Sequence, residues 1–129
     1  MKAKDIFLCG RSIGCSMAAH VARYRQPSFV ILISPFKTLQ EAAAAIVGSL
    51  LSYLVAQRFD NAENLRHVQA PVMIVHGQKD ELIPFQHAVE LADACVNSRH
   101  KFLLMPPNMT HNHFDFEYDF FIPLQGFLA

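Results

Sequence analysis

Residues 9–16 read CGRSIGCS and follow directly on the apolar run DIFL at residues 5–8. Within this stretch Ser12 stands between Gly10 and Gly14, where an apolar strand should end and a helix begin. Glycines on both sides of a serine permit a sharp turn that lifts the side chain above a sheet, and a helix N-terminus favours negative charge there. A glycine-rich turn whose serine has no catalytic role can show the same sequence pattern. The interpretation as a nucleophile therefore needs support from residues downstream.

Four short apolar runs predict strands, and the segments between them have helical spacing. The runs are continuous rather than alternating, which favours a sheet that is covered on both faces. The predicted strands are residues 6–9, 29–34, 72–76 and 101–105, and the predicted helices are residues 13–24, 38–57, 85–96 and 114–128. Thr38 and Glu41 have the spacing of a capping box, and Gly48 is a candidate break in the second helix. This alternation predicts an α/β fold: a single domain, residues 1–129, with a parallel sheet of about four strands and helices on both faces.

The composition excludes several classes of protein. Of the 129 residues 52% are hydrophobic, and the formal net charge is zero. The hydrophobic content favours a globular domain over a disordered chain. The balanced charge lacks the excess of basic residues that is typical of nucleic-acid-binding proteins. Three cysteines, Cys9, Cys15 and Cys95, cannot all pair, which favours reduced thiols and a cytoplasmic location. The apolar stretch at 42–56 is shorter than the roughly 20 residues of a membrane-spanning helix, so we expect a buried or half-buried helix there.

Two residues downstream are candidates for the base and the acid that a serine nucleophile requires. A serine nucleophile needs a base, and the base needs an acid that orients it. Asp80 stands in the loop after the predicted strand 72–76, and His111 stands in the loop after the strand 101–105. The carboxyl ends of parallel strands meet at one edge of a sheet, where active sites collect. Because Ser, Asp and His also follow one another in the order that this fold type requires, we predict a catalytic triad of Ser12, Asp80 and His111.

Neighbouring residues leave alternatives for the acid and the base. Glu81 is an alternative acid, and His113 is an alternative base. His76 lies inside a predicted strand, which favours a core or near-edge histidine. A metal site of His111, His113 and Asp80 is disfavoured, because zinc sites usually offer three or four ligands at recognisable spacing and a metal would leave the serine unexplained. We therefore expect neither a metal nor a cofactor.

Several motifs resemble those of the serine α/β-hydrolase family. They are GRSIG at 10–14, SPF at 34–36, RFDNAENL at 58–65, APVMIVHGQKDELIPF at 70–85 and THN at 110–112. The combination is similar to that of the eukaryotic branch that contains the α/β-hydrolase-domain depalmitoylases and their bud-emergence-type relatives. The resemblance runs over nearly the whole chain.

The resemblance implies a role for each residue of the predicted site. It makes Ser12 the nucleophile, Asp80 the acid and His111 the base, and it makes the backbone N–H of Ile13 one donor of the oxyanion hole. The family's histidine often follows a glycine-rich turn, whereas this chain has Asn-Met-Thr at 108–110. That departure concerns the position of His111 and not its identity.

The resemblance also implies that the chain corresponds to the carboxyl-terminal half of the fold. Family members have further strands before the elbow strand, which pair with it and supply the second oxyanion donor. Without them the first strand becomes an apolar edge that invites pairing with another copy. We therefore expect a chain that is marginally stable alone, or a dimer through the first strand.

The implied activity is hydrolysis of an acyl ester or thioester, with an acyl ester or an acylated protein as the substrate. Two alternatives stay open: a serine peptidase of the same fold, and a catalytically incomplete half-domain. The apolar helix at 42–56 is interpreted either as part of an acyl-chain groove or as ordinary core. Peripheral membrane association is a further expectation, since depalmitoylase relatives often reach membranes through lipidated amino-terminal cysteines.

Overall fold

The computed structural model describes residues 5–48 and 60–129. Its four strands are β1 (Phe7–Arg11), β2 (Phe29–Ile33), β3 (Val72–Val75) and β4 (Lys101–Leu104). They form one parallel sheet in the order β1-β2-β3-β4. The sheet confirms the four predicted strands, although β1 extends past the predicted end at residue 9. It extends because Gly10 and Arg11 continue the register opposite Leu32 and Ile33.

Helices connect and cover the strands. They are α1 (Gly14–Arg25), α2 (Leu39–Val47), α3 (Asn61–Arg66), α4 (Gln86–Ala94) and α5 (Ile122–Leu128), and a π-helical segment, Phe116–Phe121, precedes α5. The predicted helix at 114–128 is therefore two elements of different geometry. α2 ends at Gly48, which has a positive φ of 89°, as the predicted break requires. The rest of the predicted helix 38–57, and with it most of the proposed acyl-chain groove at 42–56, lies outside the described residues.

Each face of the sheet carries its own hydrophobic cluster. α1, α3 and α4 pack on one face, where Val30, Leu32, Val72 and Ile74 meet Leu65 and Leu91. On the other face Ile31, Met73 and Val75 meet Met109 and the aromatic rings of the carboxyl-terminal segment. The strands β2 and β3 are buried along their whole length, as expected for strands that are covered twice.

The two described helices between β2 and β3 each begin with a side-chain N-cap. The Thr38 hydroxyl accepts a hydrogen bond from the Glu41 N–H at 3.1 Å, which confirms the predicted cap of α2. Asp60 caps α3 in the same way through the Glu63 N–H, at 2.9 Å. No helix within residues 5–48 and 60–129 has the length and apolar character needed to cross a bilayer.

Candidate active site

Ser12 lies in a strained turn between β1 and α1. Its φ is +51°, in the left-handed region that residues with a Cβ rarely adopt, and its N–H donates to the Ile33 carbonyl at 2.9 Å. The turn brings the backbone of position 10 against the start of α1, where a Cβ would lie 2.5 Å from the Gly14 carbonyl oxygen. A Cβ at Gly14 would meet no atom within 4 Å. Of the two glycines, only Gly10 is therefore required by close packing.

Asp80 and His111 meet Ser12 above the carboxyl edge of the sheet. The His111 Nδ1 lies 2.8 Å from Asp80 Oδ2, and the His111 Nε2 lies 3.1 Å from the Ser12 Oγ. An ionised carboxylate only accepts hydrogen bonds, so Nδ1 carries the proton and Nε2 is free to accept from the serine hydroxyl. The three residues predicted as a triad thus form one continuous chain of hydrogen bonds.

The carboxylate of Asp80 is held by four donors. Oδ1 accepts from the backbone N–H groups of Leu82 at 3.0 Å and Ile83 at 2.8 Å, and Oδ2 faces the rings of His111 and His76. Burial on its own would raise the pKa of Asp80. The hydrogen bonds from His76, Ile83 and His111 outweigh that penalty and lower the pKa to about 2. Asp80 is consequently ionised at neutral pH, as the orienting acid of a triad must be.

The loop that carries the acid is joined to the loop that carries the histidine. The Gln78 N–H donates to the Pro106 carbonyl at 3.0 Å, and the Lys79 N–H donates to the Met109 carbonyl at 3.1 Å. A Cβ at Gly77 would overlap the Met109 backbone, so only glycine allows the two loops to lie this close. These contacts fix the backbone on which His111 stands.

Arg11 ties the histidine loop to the elbow. Its Nη2 donates to the His111 carbonyl at 2.6 Å and to the Asn112 side-chain oxygen at 3.2 Å. Sequence reasoning assigned nothing to Arg11 or to Gly77. Both residues matter because they join loops that are distant in the chain. The sequence indicates this only through their positions at the ends of predicted strands.

The start of α1 offers a hydrogen-bond donor beside the serine. No described residue accepts a hydrogen bond from the Ile13 N–H. Two other groups of the same turn are engaged, because the Cys15 N–H donates to the Ser12 carbonyl and the Ser16 N–H donates to the Ile13 carbonyl. The free N–H of Ile13 is thus available to a substrate oxygen.

The alternative residues lie outside the hydrogen-bonded chain. Glu81 and His113 are exposed, and they line an open cleft of about 250 Å³ beside His111. His76 is buried as expected, but it also contacts Asp80, which sequence reasoning missed. Within residues 5–48 and 60–129, no three His, Cys, Asp or Glu side chains are grouped closely enough to hold a metal ion.

A cysteine beneath the elbow does not compete with the serine. Cys15 is buried, and its thiol donates to the carbonyls of Gly10 at 3.2 Å and Ile33 at 3.3 Å. Burial raises the pKa of Cys15 to about 12, so it remains an unreactive thiol at neutral pH.

The chain matches known hydrolases in sequence and in fold. The profile of the prolyl oligopeptidase family matches residues 47–119. Lysophosphatidylserine lipase ABHD12 from Danio rerio is 29% identical over 126 residues, covering 80% of this chain and 33% of the lipase. Human α/β hydrolase domain-containing protein 17B is 26% identical over 95 residues, covering 74% of this chain and 32% of that protein. The chain therefore spans about a third of the length of these curated relatives.

A solved structure has the same architecture. The esterase domain of a Rhodothermus marinus protein superposes with a TM-score of 0.72 at 18% identity, covering 95% of this chain and 58% of the domain. This likeness confirms the predicted parallel α/β fold, and the curated relatives confirm the resemblance to α/β-hydrolase-domain proteins. Because the family profile covers more than half of its residues, the chain belongs to the prolyl oligopeptidase family of serine α/β-hydrolases.

Proposed function

We propose that the chain is a serine hydrolase that cleaves an ester or thioester through Ser12, Asp80 and His111. The observation that carries the proposal is the continuous hydrogen-bonded chain from the Ser12 hydroxyl through the His111 ring to the Asp80 carboxylate, with distances of 3.1 and 2.8 Å. A histidine held between a serine and an ionised carboxylate can remove the serine proton and return it to a leaving group. Family membership supports hydrolysis, and the finer assignment to esters and thioesters is ours.

The reaction proceeds in two steps. His111 Nε2 takes the proton from Ser12 Oγ while Oγ bonds to the acyl carbon, and the Ile13 N–H donates to the developing oxyanion. The histidine then gives its proton to the departing alcohol or thiol, which leaves an acyl-serine. Water attacks that acyl group by the same route and releases the carboxylic acid. Asp80 stays ionised throughout and stabilises the imidazolium.

An acylated protein or another bulky acyl ester is the substrate class that we favour. Among the described residues the cleft beside His111 is open, and both polar and apolar surface line it, from Glu81, Leu82, Thr110, His111, Asn112 and His113. An open cleft accommodates an ester or thioester whose leaving group is large. The relative named as a lysophosphatidylserine lipase also acts on a lipid by its name, which supports an acyl substrate.

A serine peptidase is the second candidate. The observation that favours it is the match to the prolyl oligopeptidase family, whose name denotes peptide cleavage. The same triad and oxyanion donor serve both reactions, which differ only in whether the leaving group is an amine or an alcohol or thiol. The geometry of the described residues does not favour peptides, so we rank this activity below ester cleavage.

Labelling with a fluorophosphonate probe tests the proposal directly. An activated serine displaces fluoride and forms a phosphonyl ester, so the wild-type chain should be labelled and Ser12→Ala should not. Ser28→Ala removes a serine hydroxyl next to β2, away from the carboxyl edge of the sheet, and should keep the labelling. Absence of labelling in a wild-type chain that is folded by circular dichroism would contradict the proposal and favour the catalytically incomplete half-domain.

Turnover then separates the two candidate activities. The unlabelled wild-type chain is given a short acyl thioester, the matching oxygen ester and a peptide amide at equal concentration. We expect kcat/KM to be higher for the thioester and the oxygen ester than for the amide. Faster cleavage of the amide would identify a peptidase and overturn our ranking.

A further inference from the structure

His76 is a buried histidine beside the triad that the proposed mechanism does not use. It follows β3 directly and is 0% exposed. Its backbone N–H donates a hydrogen bond to the Leu104 carbonyl at 2.9 Å. Its ring Nε2 lies 2.8 Å from the Ile83 carbonyl oxygen and 3.3 Å from Asp80 Oδ2. The ring thus points into the acid loop and away from solvent.

The surroundings of the ring fix its tautomer. Both atoms that face Nε2 are acceptors, a carbonyl and a carboxylate oxygen, so Nε2 must carry a proton. The opposite atom, Nδ1, is buried and has no hydrogen-bond partner among the described residues. A proton on Nδ1 would be a buried donor without an acceptor, which is costly. The contacts of the ring therefore favour the tautomer with its proton on Nε2.

The contacts of His76 close a ring of hydrogen bonds around the acid. Ile83 accepts from His76 through its carbonyl and donates to Asp80 Oδ1 through its N–H at 2.8 Å. His76 reaches the other carboxylate oxygen, Oδ2, which also accepts the hydrogen bond from the Nδ1–H of His111. The carboxylate of Asp80 is thus held on both oxygens, and rotation about its side chain would break contacts on either side.

We propose that His76 is a positioning residue for the triad: its Nε2–H holds the Asp80 carboxylate turned toward His111. The inference deepens the proposed function and rests on it, because orientation of Asp80 matters only if His111 acts as a base. The titratable groups that face Asp80 are His76 and His111, and the charge of a further titratable group, His87, interacts with that of His76. On this proposal the Nε2–H of His76 orients the carboxylate, and the volume of the side chain does not.

Two substitutions separate the N–H from the bulk. His76→Leu fills the site without a donor, and His76→Gln restores an N–H at nearly the position of Nε2. Carbon-detected NMR of the Asp80 carboxyl follows its titration in both variants and in the wild type, without any need for turnover. In His76→Leu we expect the pKa of Asp80 to rise from about 2 by about one pH unit, toward its ordinary value of 3.8. His76→Gln should stay close to the wild type.

The rate of probe labelling gives the second readout. A misplacement of reacting groups by about 1 Å can lower a rate about a hundred-fold, so we expect His76→Leu to label at least tenfold more slowly. His76→Gln should recover most of that rate. An Asp80 titration that does not move in folded His76→Leu would overturn the inference, whatever the labelling shows. A wild type that is not labelled at all would instead refute the proposed function and leave the Asp80 titration to decide the role of His76.

A measurement on the wild type covers the case in which His76→Leu does not fold. Nitrogen-15 correlation spectra of the histidine rings report which nitrogen carries the proton. We expect the Nε2–H tautomer for His76. The Nδ1–H tautomer would overturn the inference, because Nε2 could then donate neither to Asp80 nor to Ile83.

Discussion

Gly10 is the residue on which the turn before Ser12 depends. A Cβ there would lie 2.5 Å from the Gly14 carbonyl oxygen and 2.7 Å from the Cys15 Cα, which are backbone atoms that cannot yield like a flexible side chain. Gly10→Ala has to push β1 away from α1, and we expect a loss of about 2 kcal/mol in the free energy of unfolding, measured by urea titration.

Gly14→Ala is the matched control for this prediction. The added methyl group meets no atom within 4 Å, and alanine is the better helix former at the start of α1. We expect the free energy of unfolding to stay equal or to rise. Equal losses in the two variants would show that the close approach at position 10 is not what the turn depends on.

The reactive residues were predictable because each follows an apolar run. Ser12, Asp80 and His111 are polar residues at the ends of three parallel strands, and a parallel sheet brings such ends together whatever the lengths of the intervening segments. The residues that hold them were not predictable. Arg11 and His111 are 100 positions apart, and nothing in the local pattern around Arg11 indicates the loop that its guanidinium reaches.

At the scale of elements, α3 depends on its cap. It has six residues, which is too short for a helix to be stable by its own propensity, and its Asp60 cap satisfies the Glu63 N–H. Asp60→Ala should lower the free energy of unfolding by about 1 kcal/mol, measured by urea titration. Asp60→Asn keeps an oxygen that can accept the same hydrogen bond. It should therefore lower the free energy of unfolding by only a few tenths of the loss expected for Asp60→Ala. A loss in Asp60→Asn as large as in Asp60→Ala would indicate that charge and not capping stabilises the helix.

The same element shows where sequence patterns fail. The strands were predicted because their apolar runs are continuous, and the cap of α2 was predicted from the spacing of Thr38 and Glu41. α3 was missed because its six residues span less than two turns, too few for an apolar periodicity to emerge. The segment before α5 has apolar residues at helical spacing, but the hydrogen bonds there are one residue longer than in an α-helix, and spacing alone does not distinguish the two geometries.

At the scale of the whole molecule, β1 has one edge without a partner strand in the described parts of the chain. It pairs with β2 on one side only, and Phe7 on this strand is 60% exposed. An apolar groove of about 340 Å³ runs beside it, lined by Ile6, Leu8, Val21, Arg25 and Pro27. Unpaired backbone groups next to apolar surface favour pairing with another strand.

We propose that this edge makes the 129-residue chain self-associate, which sedimentation velocity measures directly. A lysine on an edge strand opposes strand pairing, so Cys9→Lys should shift the distribution toward monomer. Val96→Lys adds the same charge at an exposed position outside the sheet and should leave the distribution unchanged. A wild-type chain that is monomeric and melts at high temperature would contradict the proposal.

The order of the strands has a consequence for the segment that carries the base. In the sheet that the described residues form, β4 and β1 lie at opposite margins, three strand spacings or about 14 Å apart, yet the His111 ring after β4 reaches the Ser12 hydroxyl after β1. The segment after Leu104 must therefore cross the full width of the sheet to deliver its imidazole. Its length is dictated by that width, so insertions and deletions that most surface loops tolerate would separate base from nucleophile here.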